Sequence, residues 1–488
     1  MATRRRWLFA DQLGPHFLDD EPDRQVLLVV SKGVFRRKVY HRQKAHLVLS
    51  ALRHRAAELG DRAELIVTER YRDAVTGPVE VCHPTSRAAR ELIRSLPDAT
   101  MLPPRGFITA PGDFVRWADG RPRLLLEDFY RDARRRHGIL MDGSEPAGGR
   151  WNFDGDNREP PPRGVRTLGV PPPPALAEDD IDAEVRAELD RWERDDGIRF
   201  IGRDGPRRFA VTAGEAQARL AHFLEHRLPV FGPHEDAMLR EDPLMAHSLL
   251  SASLNLGLLD PLDVVERAEG EYRRGAAPIA GVEGFVRQIL GWRDYVWHCY
   301  WYFGPRFEHR DALHARRSLP AWFAGLDPDG VGSACLRDVL TRVRDTGWVH
   351  HIQRLMVLGN LALQRDWHPA DVADWFARAF VDGYPWVMTP NVIGMSQYAD
   401  GGRMTTKPYA AGGAYINRMS DYCGGCPFDP KHRAGADACP FTAGYWAFLH
   451  HHRDAFAGNH RMRQPLALLD RLADAGEIAA AESRRRDF

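Results

Sequence analysis

The sequence predicts a doubly wound parallel α/β domain at the N-terminus, followed by a large all-α domain. Three observations carry that expectation. Short apolar runs alternate with amphipathic stretches over the first 115 residues. Two proline runs then interrupt the chain in REPPPRGVRTLGVPPPPALA (158–177). From about residue 183 onward the hydrophobic spacing is helical and no comparable β-run recurs. At 488 residues the chain exceeds a single core, while 44% hydrophobic and 27% charged residues are ordinary for a globular protein.

WLFA (7–10), VLLVVS (26–31), ELIVT (64–68) and VEVC (79–82) read as buried strands. HRQKAHLVLSALRHRAAELG (41–60) places apolar residues at helical spacing, and Gly60 closes it. DQLGPHF follows the first strand, where doubly wound sheets place ligand-binding loops, but no GxGxxG fingerprint accompanies it. The proline-rich stretch reads as an extended connector. The expected division is 1–130 for the α/β domain, 131–182 for the connector region and 183–488 for the helical domain. The helical runs include EAQARLAHFLEHRL, GFVRQILGWRDYVWHCYW, ACLRDVLTRVRD and VADWFARAF.

Net charge is formally zero, so overall electrostatics name no nucleic-acid partner. Residues 340–466 are mildly basic, with 13 Lys+Arg against 10 Asp and no Glu. The longest apolar runs fall well short of the roughly 18 residues that span a bilayer. The N-terminus MATRRRWLFADQLG lacks a signal-peptide pattern, and six cysteines make no disulfide framework. A cytoplasmic protein without a membrane segment is expected.

Three of the six cysteines crowd into DYCGGCPFDPKHRAGADACPF, as Cys423-x2-Cys426-x12-Cys439. Cys335, at the head of ACLRDVL, is the candidate fourth ligand. Four thiolates hold either a tetrahedral zinc or a 4Fe–4S cluster, and the spacing suits both. Pro427 and Pro440 directly follow two of the cysteines and lean towards iron. Cys82 and Cys299 read as buried, inert thiols.

Other stretches offer chemistry of their own. HSLLSASLNLGLLDP (247–261) opens an apolar run with hydroxyls at Ser248, Ser251 and Ser253, a phosphate seat if they start a helix. GFVRQILGWRDYVWHCYWYFG (284–304) sets Gln288, Arg293 and Asp294 among aromatics, where a flat heteroaromatic ligand would supply partners. GWVHHIQRLMVLGN (347–360) places His350 beside His351, with Arg354 and Leu355 on the His351 face of a helix. Residues 381–423 combine Gly, Pro, Asn, Met, Tyr and Lys with weak periodicity, which reads as a long site-forming loop.

GWVHHIQRLMVLGN, MSQYADGG, TKPYAAGGAYINRMSDYCGGC and DACPFT closely resemble the bacterial iron–sulfur cryptochrome/photolyase family, the prokaryotic (6-4) photolyases. ADQLGPHF, the HxxK-containing helix at 41–44, LMDGSEPAGGRWNFDGDNR, HSLLSASLNLGLL and EGFVRQILGWRDYVW extend the resemblance nearly end to end. It implies light-driven repair of (6-4) photoproducts in UV-damaged DNA by a monomer. A blue-light receptor that signals through a partner is the alternative within the family. It implies a 4Fe–4S cluster on Cys335, Cys423, Cys426 and Cys439, and FAD inside the helical domain. Ser248, Leu249 and Ser251 would lie near the FAD phosphates, Gln288 and Arg293 near the phosphates or isoalloxazine, and Asp382 and Asn391 near the flavin ring. His351 would be the proton donor, with His350 assisting. Arg354, Leu355, Met395 and Tyr409 match lesion-pocket positions, with Tyr415 a further candidate. Asp11 and Gln12 would help hold a 6,7-dimethyl-8-ribityllumazine antenna.

Three positions depart from the family pattern. Ala324 stands where a Trp is usual, and Trp375-Phe376 replaces a Trp-Tyr pair. Both sites belong to the route that re-reduces flavin, so slow or rerouted photoreduction is expected, with Trp322 and Trp375 as substitutes. Ser31 and Lys32 end the second strand where an acid usually contacts the antenna.

Overall fold

The computed structural model describes residues 4–486 and 488. Five parallel strands form the N-terminal sheet, in the spatial order Ala63–Thr68, Val26–Ser31, Arg5–Leu8, Val79–Cys82, Ala99–Leu102. In chain order this is 3-2-1-4-5, a doubly wound arrangement. The register pairs Trp7 with Leu27, Leu28 with Leu65 and Val81 with Met101. Val26–Ser31 is buried at every position, as a central strand covered on both faces must be. Its residues alternate between two cores. Leu27 and Val29 join Trp7 and Val81 on one face, whereas Leu28 and Val30 join the large core shared with the helical domain. The strand Ala99–Leu102 was not anticipated. It is a short, half-exposed edge strand, too brief to leave an alternating signature.

The strand order reverses between Arg5–Leu8 and Val79–Cys82, and the crevice beyond their C-terminal ends is where such sheets bind ligands. The DQL loop lies there. Gln12 Nε2 donates to the Cys82 carbonyl at 3.0 Å, and the Thr85 hydroxyl donates to the Asp11 carboxylate. Gly14 and Gly257 make a close contact that side chains would block. A Cβ on Gly14 would lie 2.1 Å from Gly257 O, and one on Gly257 2.6 Å from Asp11 O. The loop at the switch point is thus pressed directly onto the helical domain.

The stretch 158–177 contains no regular element. It is pinned by Glu159 N–H to Pro233 O at 2.9 Å and by Leu168 N–H to Asp242 Oδ2 at 2.9 Å. After it the chain is helical, apart from the short strand Phe200–Ile201 that pairs with Tyr40–His41. Four segments there are π-wound: Phe223–Arg227, Arg287–Arg293, Arg354–Gly359 and Pro390–Ser396. Such turns concentrate at functional sites, and they explain two departures from expectation. Residues 381–423 are not one long loop, because Pro385–Thr389, Pro390–Ser396 and Gly413–Met419 are helical. A register broken by π-turns, with Pro390 inside it, hides that periodicity. His350 is the extended cap preceding the helix that begins at His351, so the two histidines leave the backbone in different directions. The seat at 247–253 also differs. The helix there is only Ser251–Asn255, and Ser248 and Leu249 lie in the preceding turn, Leu249 with φ +60°.

Candidate functional site

Asp382 is the hub of one constellation. It is buried, and Arg354 grips its carboxylate with two hydrogen bonds of 2.8 and 3.0 Å. The Ser251 hydroxyl donates to Asp382 Oδ2 at 2.6 Å, and Asn255 Nδ2 donates to the Asp382 carbonyl at 2.9 Å. Burial opposes ionisation of Asp382, but Arg354 and Ser251 outweigh it and hold the carboxyl below its ordinary pKa. Arg354 also donates to Val349 O at 2.7 Å and lies 4.3 Å from the Phe380 ring centroid. Lys44 enters from the α/β domain. Its ammonium donates to Ala377 O at 2.7 Å and to Gly383 O, and burial lowers its pKa to about 7.

Arg293 is half-buried one step away. Its guanidinium donates to Gly106 O at 2.6 Å and to Leu254 O at 3.1 Å, beside Asn255, and lies against the rings of Phe107 and Trp386. Gln288, one and a half turns earlier, is exposed with its amide on Gly284 O. Asn391 and Met395 lie half-buried on Pro390–Ser396. That segment is locked to the Arg354–Gly359 segment by Gln397 Nε2, which donates to Gly359 O at 3.0 Å. Leu355 is half-buried on the latter. Tyr409 precedes Ala411, whose N–H and carbonyl are both held by the Asn360 side chain at 3.1 and 2.8 Å.

A second constellation adjoins Arg354. His351 Nε2 lies 3.2 Å from Asp236 Oδ1. Its side chain is 54% exposed, with His247 packed edge-on against the ring. Burial works against its charge, but the Asp236 hydrogen bond and the charges of Asp236 and Glu235 prevail and raise its pKa above the usual 6.5. His350 behaves oppositely. It is buried, neither ring nitrogen has a partner, and burial beside His247 and His351 pushes its pKa well below normal. His247 stacks on His350 with centroids 4.4 Å apart and meets His351 edge-on at 5.5 Å. Two neutral imidazoles therefore flank one that favours the charged form. Tyr409 and Tyr415 both lie within the field of Asp236, and burial raises both phenol pKa values.

The four cysteines converge as well. Cys335, Cys423, Cys426 and Cys439 line one small enclosed cavity with Tyr422 and Phe441, and none is disulfide-bonded. Burial and mutual repulsion push the Cys335 thiol far up, as expected for clustered thiols that want a cation.

A curated protein named (6-4) photolyase, from Agrobacterium fabrum, is 40% identical over 493 aligned residues, covering 96% of this chain and 95% of that one. The chain belongs to the (6-4) photolyase family. Residues 6–196 also match the family model described as deoxyribodipyrimidine photo-lyase-related protein. The fold matches the crystal structure of a bacterial class III photolyase from Agrobacterium tumefaciens, with a TM-score of 0.55 at 15% identity over 99% of both chains. A Synechocystis cryptochrome matches with a TM-score of 0.52 at 14% identity, over 86% of this chain and 88% of that one.

Within this photolyase-family chain, the two aromatic departures from pattern lie close together. Trp375 Nε1 donates to Ala324 O at 3.2 Å, and the Trp375 ring lies 4.4 Å from Phe323 and 6.0 Å from Phe380. Phe376 stacks on Phe380 at 5.3 Å. Trp367, which sequence reading passed over, is 4.6 Å from Phe323 and 6.4 Å from Trp322. Ser31 and Lys32 are engaged elsewhere, the first with Glu69 O at 2.9 Å and the second with Asp196 at 2.5 Å. Sequence reading also missed His247, Asp236, Glu235 and Asn255. His247 stood one residue before the noted serines, whereas Glu235 and Asp236 lie in GPHEDAM, which carries no periodic or motif signal.

Proposed function

We propose that this chain reverses (6-4) pyrimidine–pyrimidone photoproducts in UV-damaged DNA under light, as a cytoplasmic monomer. The observation that carries the reading is the His351–Asp236 pair set beside the Arg354–Asp382 pair in the helical domain. A weakly paired lesion costs less to extrude than normal bases. A flat heteroaromatic cofactor would supply a partner to Trp386 Nε1, which is buried without one beside Arg293. FAD would be held by Asp382, Asn391, Gln288, Arg293 and the Ser248–Ser251 turn, and when reduced and excited it supplies the electron.

The residues of the chain then do the rest. Asp236 holds His351 Nε2, so Nδ1 is the atom that delivers a proton to the lesion. Neutral His350 and His247 do not compete for that charge. Leu355, Met395 and Tyr409 wall the lesion pocket. Asp382 fixes Arg354 so that its guanidinium stays in the wall rather than neutralising Asp236.

A 4Fe–4S cluster is the favoured group on the four cysteines, which line one cavity and of which two are followed directly by Pro427 and Pro440. A lumazine antenna is supported by the buried, unpartnered Asp11 Oδ1 and Tyr384 hydroxyl at the switch-point crevice. Among the described residues no helix is long and apolar enough to cross a membrane.

The test is direct. The purified chain is incubated with an oligonucleotide carrying one (6-4) photoproduct, a reductant and blue light. Restored thymines are expected in the light sample alone, and unchanged lesion with flavin fully reduced would refute the proposal.

A further inference from the structure

Among the described residues, three sets of side chains bring metal-binding atoms within 4.8 Å of one another: His247, His350 and His351; His54, Asp179 and Asp182; and Asp366, His451 and His452. Two of them meet an obstacle. The His247 and His350 rings stack nearly parallel, 21° apart at 4.4 Å, and two such planes do not converge on one ion between them. Asp179 caps the helix Asp180–Asp195, and Arg207 already sets a cation 3.1 Å from Asp182. The third set has neither obstacle.

It sits at the far end of the helix Pro440–His451, whose N-cap is Cys439. His451 ends that helix and is exposed, whereas His452 is 5% exposed and packs against Phe448 and Phe456, with centroids at 4.8 and 6.0 Å. The two imidazoles meet at 88° with centroids 4.7 Å apart, so their planes can share a point. Asp366 comes from 86 residues before His452, and its Oδ1 lies 2.6 Å from His452 Nε2. Its backbone is left-handed, with φ +52°, a conformation that a residue with a Cβ keeps only when tertiary contacts hold it. Those contacts are present. Arg317 N–H donates to Asp366 O at 3.0 Å, and the adjoining Arg365 donates to Pro440 O at 2.9 Å. Residues 365 and 366 therefore grip opposite ends of one helix. Among the described residues no arginine or lysine pairs with the Asp366 carboxylate, and the His451 nitrogens have no hydrogen-bond partner.

Two imidazoles and a carboxylate are a donor set for a borderline divalent ion, with open positions left for water. In a tetrahedral shell with bonds of about 2.0–2.1 Å the ligand atoms lie about 3.3 Å apart. An ion replacing the proton between Asp366 and His452 then widens their contact by less than about 1 Å, and exposed His451 turns to meet it. We propose that Asp366, His451 and His452 form a metal site distinct from the four cysteines, which takes one ion of the Zn²⁺ class and clamps the end of the helix begun at Cys439 to the turn after Asn360–Gln364. Asn360 and Gln364 each donate to Ala411 O at 2.8 Å, so the ion stiffens the support of the segment that carries Tyr409. The site stands whether or not the chain repairs (6-4) lesions.

The experiment titrates Zn²⁺ into the holoenzyme by calorimetry, with iron counted before and after so that exchange at the thiols is visible. One ion per chain should bind with iron unchanged, and the melting temperature should rise with Zn²⁺. His451→Ala, at an exposed position, should weaken binding by about tenfold or more and abolish the melting shift. Asp366→Asn, which keeps a hydrogen bond to His452, should do the same. His351→Gln should leave the affinity as it was. Absence of binding by the wild-type chain would overturn the proposal, as would affinity retained in both H451A and D366N or lost in H351Q.

Discussion

Arg354 and Asp382 form a two-point ion pair, at 2.8 and 3.0 Å, between the turn that carries the histidines and the segment that leads into Pro385–Ser396. The pair is the joint between the two constellations of the site. Its carboxylate also receives Ser251, and its carbonyl receives Asn255, so three separate stretches of sequence meet on one residue.

Breaking this joint should be costly. In Asp382→Asn the guanidinium of Arg354 is left half-satisfied in a buried wall, a change of roughly 3–5 kcal/mol for a buried pair. The expected outcome is a protein that purifies with less flavin and melts several degrees lower. Full flavin content, read from the visible spectrum, would show that Asp382 is dispensable for the cofactor.

The charge of His351 should show in the pH profile. A pKa raised above 6.5 means that the proton is present at lower pH and is lost as pH climbs through the raised value, so repair should fall on the alkaline side. Asp236→Asn removes the hydrogen bond and charge that raise it, and should move that alkaline limb down by about one unit. His351→Ala should lower repair by about 10²–10⁴-fold while flavin stays bound. Both are read by repair assays across pH.

Cys335 offers a clean test of the metal centre. Cys335→Ser removes the ligand that alone comes from a distant helix, and should yield a protein without the brown colour and with iron reduced or absent. A stable zinc content of one per chain in the wild type, with no iron or sulfide, would reject the cluster.

Flavin photoreduction should run through Trp375. Phe376 is hard to oxidise and Ala324 cannot relay, yet Trp375 has Phe323 and then Trp367 and Trp322 within ring contact. Trp375→Phe should slow blue-light reduction measured by the loss of flavin absorbance. Ala324→Trp, beside the Trp375 indole, should speed it. An unchanged rate in Trp375→Phe would place the route elsewhere.

The architecture was legible along the chain because burial imposes periodicity. Val26–Ser31 reads as a central strand since both of its faces meet apolar neighbours, and Arg42–Leu59 reads as a helix closed by Gly60. Four cysteines with two in a CxxC step marked a candidate metal site, and the structure brings all four to one cavity. The edge strand Ala99–Leu102 and the helical run Pro385–Ser396 were not legible, the first for shortness and the second because a π-turn breaks the 3.6-residue rhythm.

What the chain determined by itself was its two-part architecture, the four thiols that the fold brings to one cavity and the family to which its motifs belong. Only folding decided which carboxylate serves which base. Asp236 reaches His351 across 115 residues and Asp382 reaches Arg354 across 28, while two of the three clustered imidazoles are stripped of partners by burial. The proton affinity of a side chain follows from the charges and the lost water around it, and those neighbours are assembled in space from segments whose separation along the chain carries no trace of the contact.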